Sequence, residues 1–592
     1  MLLKLVKSNL FKENQILFFS IIFCATTATL LEAFSIGTFL PIIQNIIGNT
    51  PTKTGGLFEG LIEVLNSFYP DNVLASLFIL FGILNILRIF FSILKEIINQ
   101  TISQKVKTSI QYHFFKKYAY ADIFFHSQKK PGDLIYNMVS LPQDVSSLYL
   151  IIPSIITDII QITLLSTFLA YLSPILLLSI FSLSLFFGLI AILIGGKAQV
   201  IFGTKTINAH MNLLSLNHEL IGGFKDLICA NASTIWIKKS KKEIQQYFIN
   251  KMKSFSSRTI ISKSIEGVFL LSVAIAGAYM AQKKSKDLVL YLPLAAVYLM
   301  AIFRVIPYVG KLINSISILK NYKYALDVYE SAINEVTKTS NTLQHREKVT
   351  FFNKNISVKS LSFRYPKSQK LVLQDINLEI NKNETLAIVG ESGSGKSTLI
   401  DLILGLQTPS NGDIFIDETN LQSINLDSWR LKIGYVSQNP YIFNGTIAEN
   451  ISLGQDYSQE KMNHALSVSR IDKFINTLDD GIFSQVGERG LSLSGGQRQR
   501  ICIARSIYKS PDLLIFDEAT NSLDNQTEKE IIDLINSIKK DMTIIILAHR
   551  LETIQNADKI IVIDKGGIIE SGKHLDLIDK KGSYYHLYNA HR

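Results

Sequence analysis

The chain has 592 residues, a mean hydropathy of +0.23 and only 18% charged residues, which is too long for one core and too apolar for an ordinary soluble protein. A net charge of +11 would suit a nucleic-acid partner, but the lysines fall largely between hydrophobic runs, as on the inner face of a membrane protein, and we expect no nucleic acid. Cys24, Cys229 and Cys502 are far apart and form no metal or redox pattern.

Residues 1–14, with Lys4, Lys7 and Lys12, form a basic amphipathic lead-in that the positive-inside rule places in the cytoplasm. Six apolar runs follow, at residues 15–44, 73–98, 146–171, 175–195, 259–281 and 288–319. Each reaches or exceeds the ~20 residues a helix needs to cross a ~30 Å hydrocarbon core. The first is too long for a cleavable signal and lacks a small-residue cleavage site. An even number of crossings returns the chain to the cytoplasm.

The connections are unequal. Leu172-Ser173-Pro174 joins spans three and four, and residues 282–287 join five and six, whereas 99–145 and 196–258 are long, lysine-rich and helical in pattern. A helix from Asn72 to about Phe125 would be about 80 Å long, so the helices are expected to leave the membrane as cytoplasmic stalks. Residues 334–350 read as a polar linker, separating a membrane domain at 1–333 from a soluble α/β domain at 351–592.

In the soluble domain the apolar strand Leu386 to Val389 runs into Gly390-Glu391-Ser392-Gly393-Ser394-Gly395-Lys396-Ser397-Thr398, and a helical stretch follows. Strand, glycine-rich turn and helix are the context of a P-loop, where backbone N–H groups and a helix N-terminus cradle phosphate. Lys396 is placed for the β and γ phosphates, and the Ser397 hydroxyl for Mg²⁺. Further on, Leu493-Ser494-Gly495-Gly496-Gln497 opens a second helix with glycines and a hydroxyl. The apolar strand from Leu513 then ends in Asp517-Glu518.

These motifs, in this order, resemble the ATP-binding cassette (ABC) family, and with six preceding spans the chain resembles a half-size ABC exporter along nearly its whole length. The expected fold is an α-helical polytopic membrane domain, six transmembrane helices with long cytoplasmic extensions, fused to an α/β P-loop NTPase. The resemblance implies that Asp517 holds Mg²⁺ with Ser397 and Gln438, that Glu518 is the general base, and that Gln438 couples the cassette to the membrane domain. It also implies that Tyr365 stacks on adenine, that Asp524 belongs to the D-loop and that His549 contacts the γ-phosphate. Residues 486–490 match a loop that touches the stalk tips in exporters. In this family the signature of one cassette, here residues 493–497, closes on the P-loop of another. A homodimer with two hydrolytic sites is therefore implied, with a heterodimer as the alternative, and ATP and Mg²⁺ are the implied cofactors.

Charged residues inside spans cost roughly 2.5 to 3.5 kcal/mol each at mid-membrane and usually face a cavity or a partner. Glu32, Arg88, Asp158, Glu266 and Arg304 are such residues. They read either as internal ion pairs, for example Glu32 with Arg88, or as a polar cavity in which Arg88 and Arg304 grip a phosphate. Leu31-Glu32-Ala33-Phe34 with Pro41, and Phe303-Arg304-Val305-Ile306-Pro307, look like segments of lipid-linked oligosaccharide flippases. ATP-driven export or flipping of an amphiphile, foremost a lipid-linked oligosaccharide or similar glycolipid, across the inner membrane of a bacterium leads the expectations. Lipid, drug or peptide export, and an ATP-gated channel or regulator, are the alternatives.

Overall fold

A computed structural model describes residues 14–47, 73–172, 201–282, 288–340 and 352–590, apart from residues 367, 488–489, 491–492, 520–524, 540–541 and 549–553. The chain separates into two compact units, one of Met1–Ala121 with Phe125–Thr339, the other of Asp122–Phe124 with Ser340–Arg592.

The first unit is built from long helices: α1 (Gln15–Ile47), α2 (Val73–Ala119), α3 (Pro131–Val139), α4 (Leu141–Leu172), α5 (201–222), α6 (Phe224–Cys229), α7 (Ser233–Gln282) and α8 (Leu288–Ser340). Among the described residues, Gln15–Ile43, Leu74–Ala119 and Pro131–Phe168 are long and apolar enough to cross a membrane. Expected spans 259–281 and 288–319 lie within α7 and α8, while 175–195 lies outside the described residues. At 47 residues α2 is about 70 Å long and far outruns a bilayer. Its last turns carry Ile102, Val106, Ile110, Phe114 and Tyr118, one residue in four, a single buried stripe that packs with Tyr136, Leu148, Ala325 and Val336. The stalk is thus held by its own core. Helix α8 continues to Ser340, so residues 334–340, expected as linker, are helical.

Hydroxyls in the apolar helices satisfy themselves on the preceding turn: Thr29 Oγ1 donates to Ala25 O at 2.7 Å and Thr38 Oγ1 to Ser35 O at 2.7 Å. Asn85 Nδ2 donates to Ser35 Oγ at 2.7 Å and ties α2 to α1.

The second unit holds two sheets. One is antiparallel, in the order β2 (Leu373–Asn381), β1 (Asn355–Phe363), β4 (Asn411–Ile416), β5 (Thr419–Asn420). The other has the order β10 (Gly567–Gly572), β9 (Lys559–Asp564), β3 (Thr385–Val389), β8 (Thr543–Leu547), β7 (Leu513–Asp517), β6 (Ile433–Val436). Strands β9, β3, β8, β7 and β6 are parallel, and β10 is an antiparallel edge. Strands buried on both faces carry continuous apolar runs, and their alternation divides the core in two. Ala387, Val389, Leu514, Phe516, Ile544 and Ile546 face one layer, and Leu386, Ile388, Leu513, Ile515, Ile545 and Leu547 the other. The sheet is thereby fixed in register, with its carboxyl ends presented together.

Candidate functional site

The P-loop leaves β3 and enters α9 (Lys396–Ile403) through two glycines in backbone conformations that L side chains rarely adopt, Gly390 at φ +154° and Gly395 at φ +109°. A Cβ on Gly390 would stand 2.2 Å from Ile563 O, and one on Gly395 would stand 2.7 Å from Leu373 Cδ2. The loop is wedged between β9 and β2, and only glycine fits at these two points. Glu391, Ser392, Gly393 and Ser397 are exposed, whereas Ser394, Lys396 and Thr398 are buried. Lys396 Nζ donates to Gly390 O at 2.8 Å and to Glu391 O at 2.9 Å, which holds the amine inside the loop. Burial lowers its pKa, and the negative charges of Glu518 and Asp517 oppose that shift. The ammonium therefore lies within electrostatic reach of both carboxylates.

That convergence follows from topology. Strands β3 and β7 flank β8, so the P-loop and Asp517 emerge at the same carboxyl edge, where open α/β sheets bind ligands. Tyr435 at β6 donates its hydroxyl to Asp517 Oδ2 at 2.8 Å. Burial and this bond push the tyrosine pKa upward, so the phenol stays a donor. Gln438 Nε2 donates to Glu518 Oε2 at 2.6 Å. Glu518 itself has φ +49°, an uncommon conformation for a residue with a Cβ, and its N–H bonds Leu547 O at 3.1 Å. Asp401 on α9 has its pKa pushed up to about 6, first by burial and then by Asp517.

Tyr365 packs edge-on against Phe363 with ring centroids 5.1 Å apart, and its hydroxyl is 3.1 Å from Thr398 Oγ1. The expected adenine platform is thus joined to the P-loop helix. Ser394 Oγ, Ser397, Asp517 and Gln438 supply hydroxyl, carboxylate and amide oxygens, a hard donor set that fits Mg²⁺. Among the described residues no group of three or more His, Cys, Asp or Glu side chains could hold a metal, so such an ion would share nucleotide phosphates as ligands.

Leu493 is buried, and Ser494 caps α10 (Gly495–Tyr508). Ser494 Oγ accepts from Gln497 N at 3.2 Å, while Gln497 Oε1 accepts from Ser494 N at 2.8 Å, a complete capping box. The expected signature is therefore a rigid helix start with Gly495 and Gly496 in its first turn. Asp524 and His549 lie outside the described residues.

Sequence reasoning missed the support behind Gln438. Buried Asn450 accepts from Phe443 N at 2.8 Å and donates to Phe443 O and Thr446 O at 2.9 and 3.0 Å. Arg505 of α10 donates to Tyr441 O at 3.0 Å, to Asn450 O at 2.7 Å and to Asn450 Oδ1 at 3.0 Å. Together they clamp the segment after Gln438 onto α10. Thr446 and Glu449 close a capping box in this stretch, but their spacing gives no hint of what Asn450 binds.

In the first unit Glu32 is 3% exposed and takes two guanidiniums, Arg304 Nη1 at 3.3 Å and Arg88 Nη1 at 3.7 Å. Tyr308 donates its hydroxyl to Glu32 Oε2 at 2.9 Å. The structure thus joins α1, α2 and α8 through one carboxylate, with both arginines ion-paired to it. Asp158 on α4 is buried, and the Glu266 side chain lies outside the described residues.

Comparison with known proteins agrees with this architecture. A profile for the ABC transporter transmembrane region matches residues 17–303, and an ABC transporter profile matches residues 373–521. An "ATP-dependent lipid A-core flippase" of Vibrio parahaemolyticus is 41% identical over 236 residues, 40% of this chain and 40% of that protein. A Staphylococcus aureus ATP-binding/permease protein named for multidrug export is 45% identical over 235 residues, 40% of this chain and 41% of that protein. The chain thus spans about two-fifths of the length of these curated relatives. A solved bacterial Atm1-family ABC exporter with ATP bound superimposes with a TM-score of 0.78 at 22% identity, covering 98% of each chain, a likeness of fold. With both regions matched and the whole fold shared, the chain belongs to the ABC transporter family and has the exporter fold, a helical transmembrane region followed by an ATP-binding cassette.

Proposed function

We propose that this protein is an ATPase that moves an anionic amphiphile across a membrane, working as a dimer. The observation that carries the ATPase reading is the meeting of Lys396, Asp517 and Glu518 at one sheet edge. In this reading the loop amides and Lys396 hold the phosphates, Tyr365 stacks on adenine, and Glu518 takes the proton of the attacking water. Ser397, Asp517 and the Gln438 amide oxygen would hold Mg²⁺, which supplies charge neutralisation at the phosphates. Gln438 bonds Glu518, so it reads the state of that carboxylate directly, and the family resemblance gives it the role of coupling the cassette to the membrane domain. Residues 493–497 of one copy complete the site of the second, with Asp524 and His549 in the D-loop and switch roles. The setting is the inner membrane of a bacterium, with the cassette in the cytoplasm.

The nature of the cargo rests on Glu32, Arg88 and Arg304. Two guanidiniums on one carboxylate leave one positive charge in surplus, and Arg88 Nε is buried with no hydrogen-bond partner. In an apolar span such a surplus favours an anion, and the arginine fork suits phosphate. A phosphate-bearing glycolipid, such as a lipid-linked oligosaccharide, fits best. The name of the Staphylococcus aureus relative favours a second reading, broad amphiphile export. ATPase activity in nanodiscs, titrated with a polyprenyl diphosphate sugar, an uncharged polyprenol and cationic drugs, separates the two. Stimulation by the diphosphate alone, lost in Arg88→Gln with Arg304→Gln, is expected. Equal stimulation by drugs in both proteins would replace the anionic reading with the broad one.

A further inference from the structure

Asp517 is the proposed carboxylate ligand of Mg²⁺, and one of its two oxygens is engaged by a neighbouring strand. In β6 Ile433, Gly434 and Val436 are buried, whereas Tyr435 is exposed. Parallel pairing sets Tyr435 opposite Ile515, and Asp517 lies two residues further along β7. Side chains two apart on a strand share a face, so the tyrosine and the carboxylate rise from the same side of the sheet. There the Tyr435 hydroxyl donates to Asp517 Oδ2 at 2.8 Å. A hydrogen bond to a carboxylate is charge-assisted and stronger than one between neutral groups. The main chain behind the donor is fixed from α10, where buried Ser506 donates its hydroxyl to Tyr435 O at 3.0 Å. Ladder pairing on one side and this bond on the other hold the tyrosine where its hydroxyl meets Asp517.

We propose that Tyr435 is a positioning residue that sets the metal preference of the nucleotide site, favouring Mg²⁺ over the larger Ca²⁺. This inference rests on the ATPase reading above, with Asp517 as a metal ligand. Mg²⁺ demands near-ideal octahedral geometry, keeps several waters and takes few protein oxygens. Ca²⁺ takes more oxygens in a looser geometry and accepts a carboxylate through one oxygen or through both. A carboxylate free to offer both oxygens therefore serves Ca²⁺ better than Mg²⁺. The tyrosine bond draws charge from Oδ2, leaves Oδ1 the stronger donor and keeps the carboxylate from turning. Removing the hydroxyl frees Oδ2 and lifts that restraint. A hydroxyl that merely tied the end of β6 to β7 would be indifferent to which ion is present.

The test is equilibrium binding of a fluorescent, non-hydrolysable ATP analogue to the full-length protein in nanodiscs, in wild type and in Tyr435→Phe. Affinity is measured with saturating Mg²⁺, with saturating Ca²⁺ and in EDTA, and each ion's effect is the gain over EDTA. Wild type is expected to gain more from Mg²⁺ than from Ca²⁺. In Tyr435→Phe the ratio of the Mg²⁺ gain to the Ca²⁺ gain is expected to fall about tenfold, the usual scale for losing a group that orients a metal ligand. Affinity in EDTA, set by the P-loop and Tyr365, is expected to stay at the wild-type value. The same ratio in both proteins overturns the positioning role and leaves Tyr435 a tie between strands, with the ATPase reading intact. Equal losses in all three conditions overturn it as well, because a disturbed fold weakens binding whatever the ion. Wild-type affinity that neither ion changes overturns the metal site itself, and the inference with it.

Discussion

At the scale of residues, the candidate site depends on side chains that lie behind it. Asn450 and Arg505 satisfy five backbone groups between them in the segment that carries Gln438 toward Glu518. Asn450→Ala leaves Phe443 N, Phe443 O, Thr446 O and one N–H of the half-buried Arg505 short of a partner, at about 1–3 kcal/mol per orphaned buried group. The expected fall in Tm is about 5–10 °C for a domain of this size, read by thermal unfolding without nucleotide. A change of under about 2 °C would contradict the clamp. Arg505→Lys is expected to behave like the alanine variant, because an ammonium cannot reproduce the fork.

Asp401 gives a pH signature. Its folded pKa of about 6 lies above the usual 3.8, so between those values the folded protein keeps a proton that the unfolded chain has released. Stability from this group therefore falls as pH rises through that window, and the penalty is fully present above it. Asp401→Asn, measured in EDTA, is expected to raise Tm at pH 7.5 and to change it little at pH 4.5. Equal shifts at both values would refute the assignment.

Among the elements, α10 has two tasks at one end. Its capping box stabilises the helix in isolation, and the same residues 493–497 are proposed to face a second copy's P-loop. Losing the Ser494 cap costs about 1 kcal/mol, a fall of about 2–4 °C in Tm. Ser494→Ala is expected to lower ATPase activity at saturating ATP more than tenfold, well beyond what that loss of stability explains. Activity that falls only with the folded fraction would leave Ser494 a cap and nothing more. The elements also show what a sequence can disclose. Strands β3, β7 and β8 are unbroken apolar runs, and the P-loop announces itself by glycines between strand and helix. The end of α8 was not legible, because the polar residues 334–340 suit a linker and a solvated helix alike. Nor were Tyr435 with Asp517, 82 residues apart, or Arg505 with Asn450, 55 apart, because nothing local marks a partner that distant. Glu32 with Arg88 could be guessed from the cost of burying charge, but the addition of Arg304 and Tyr308 required the packing of three helices.

For the whole molecule, hydrolysis in the cassette is proposed to drive movement of an anionic amphiphile through the membrane unit, with Glu518 as the residue whose chemistry drives it. The most direct measurement reconstitutes the full-length protein in liposomes and follows ATP-dependent transfer of a fluorescent polyprenyl diphosphate between leaflets, in wild type and in Glu518→Gln. Wild type is expected to move the lipid only with ATP, and the variant to bind nucleotide while hydrolysis and transfer fall together by at least a hundredfold. Transfer at the wild-type rate in Glu518→Gln, or hydrolysis in wild type with no transfer of the lipid, would contradict the account.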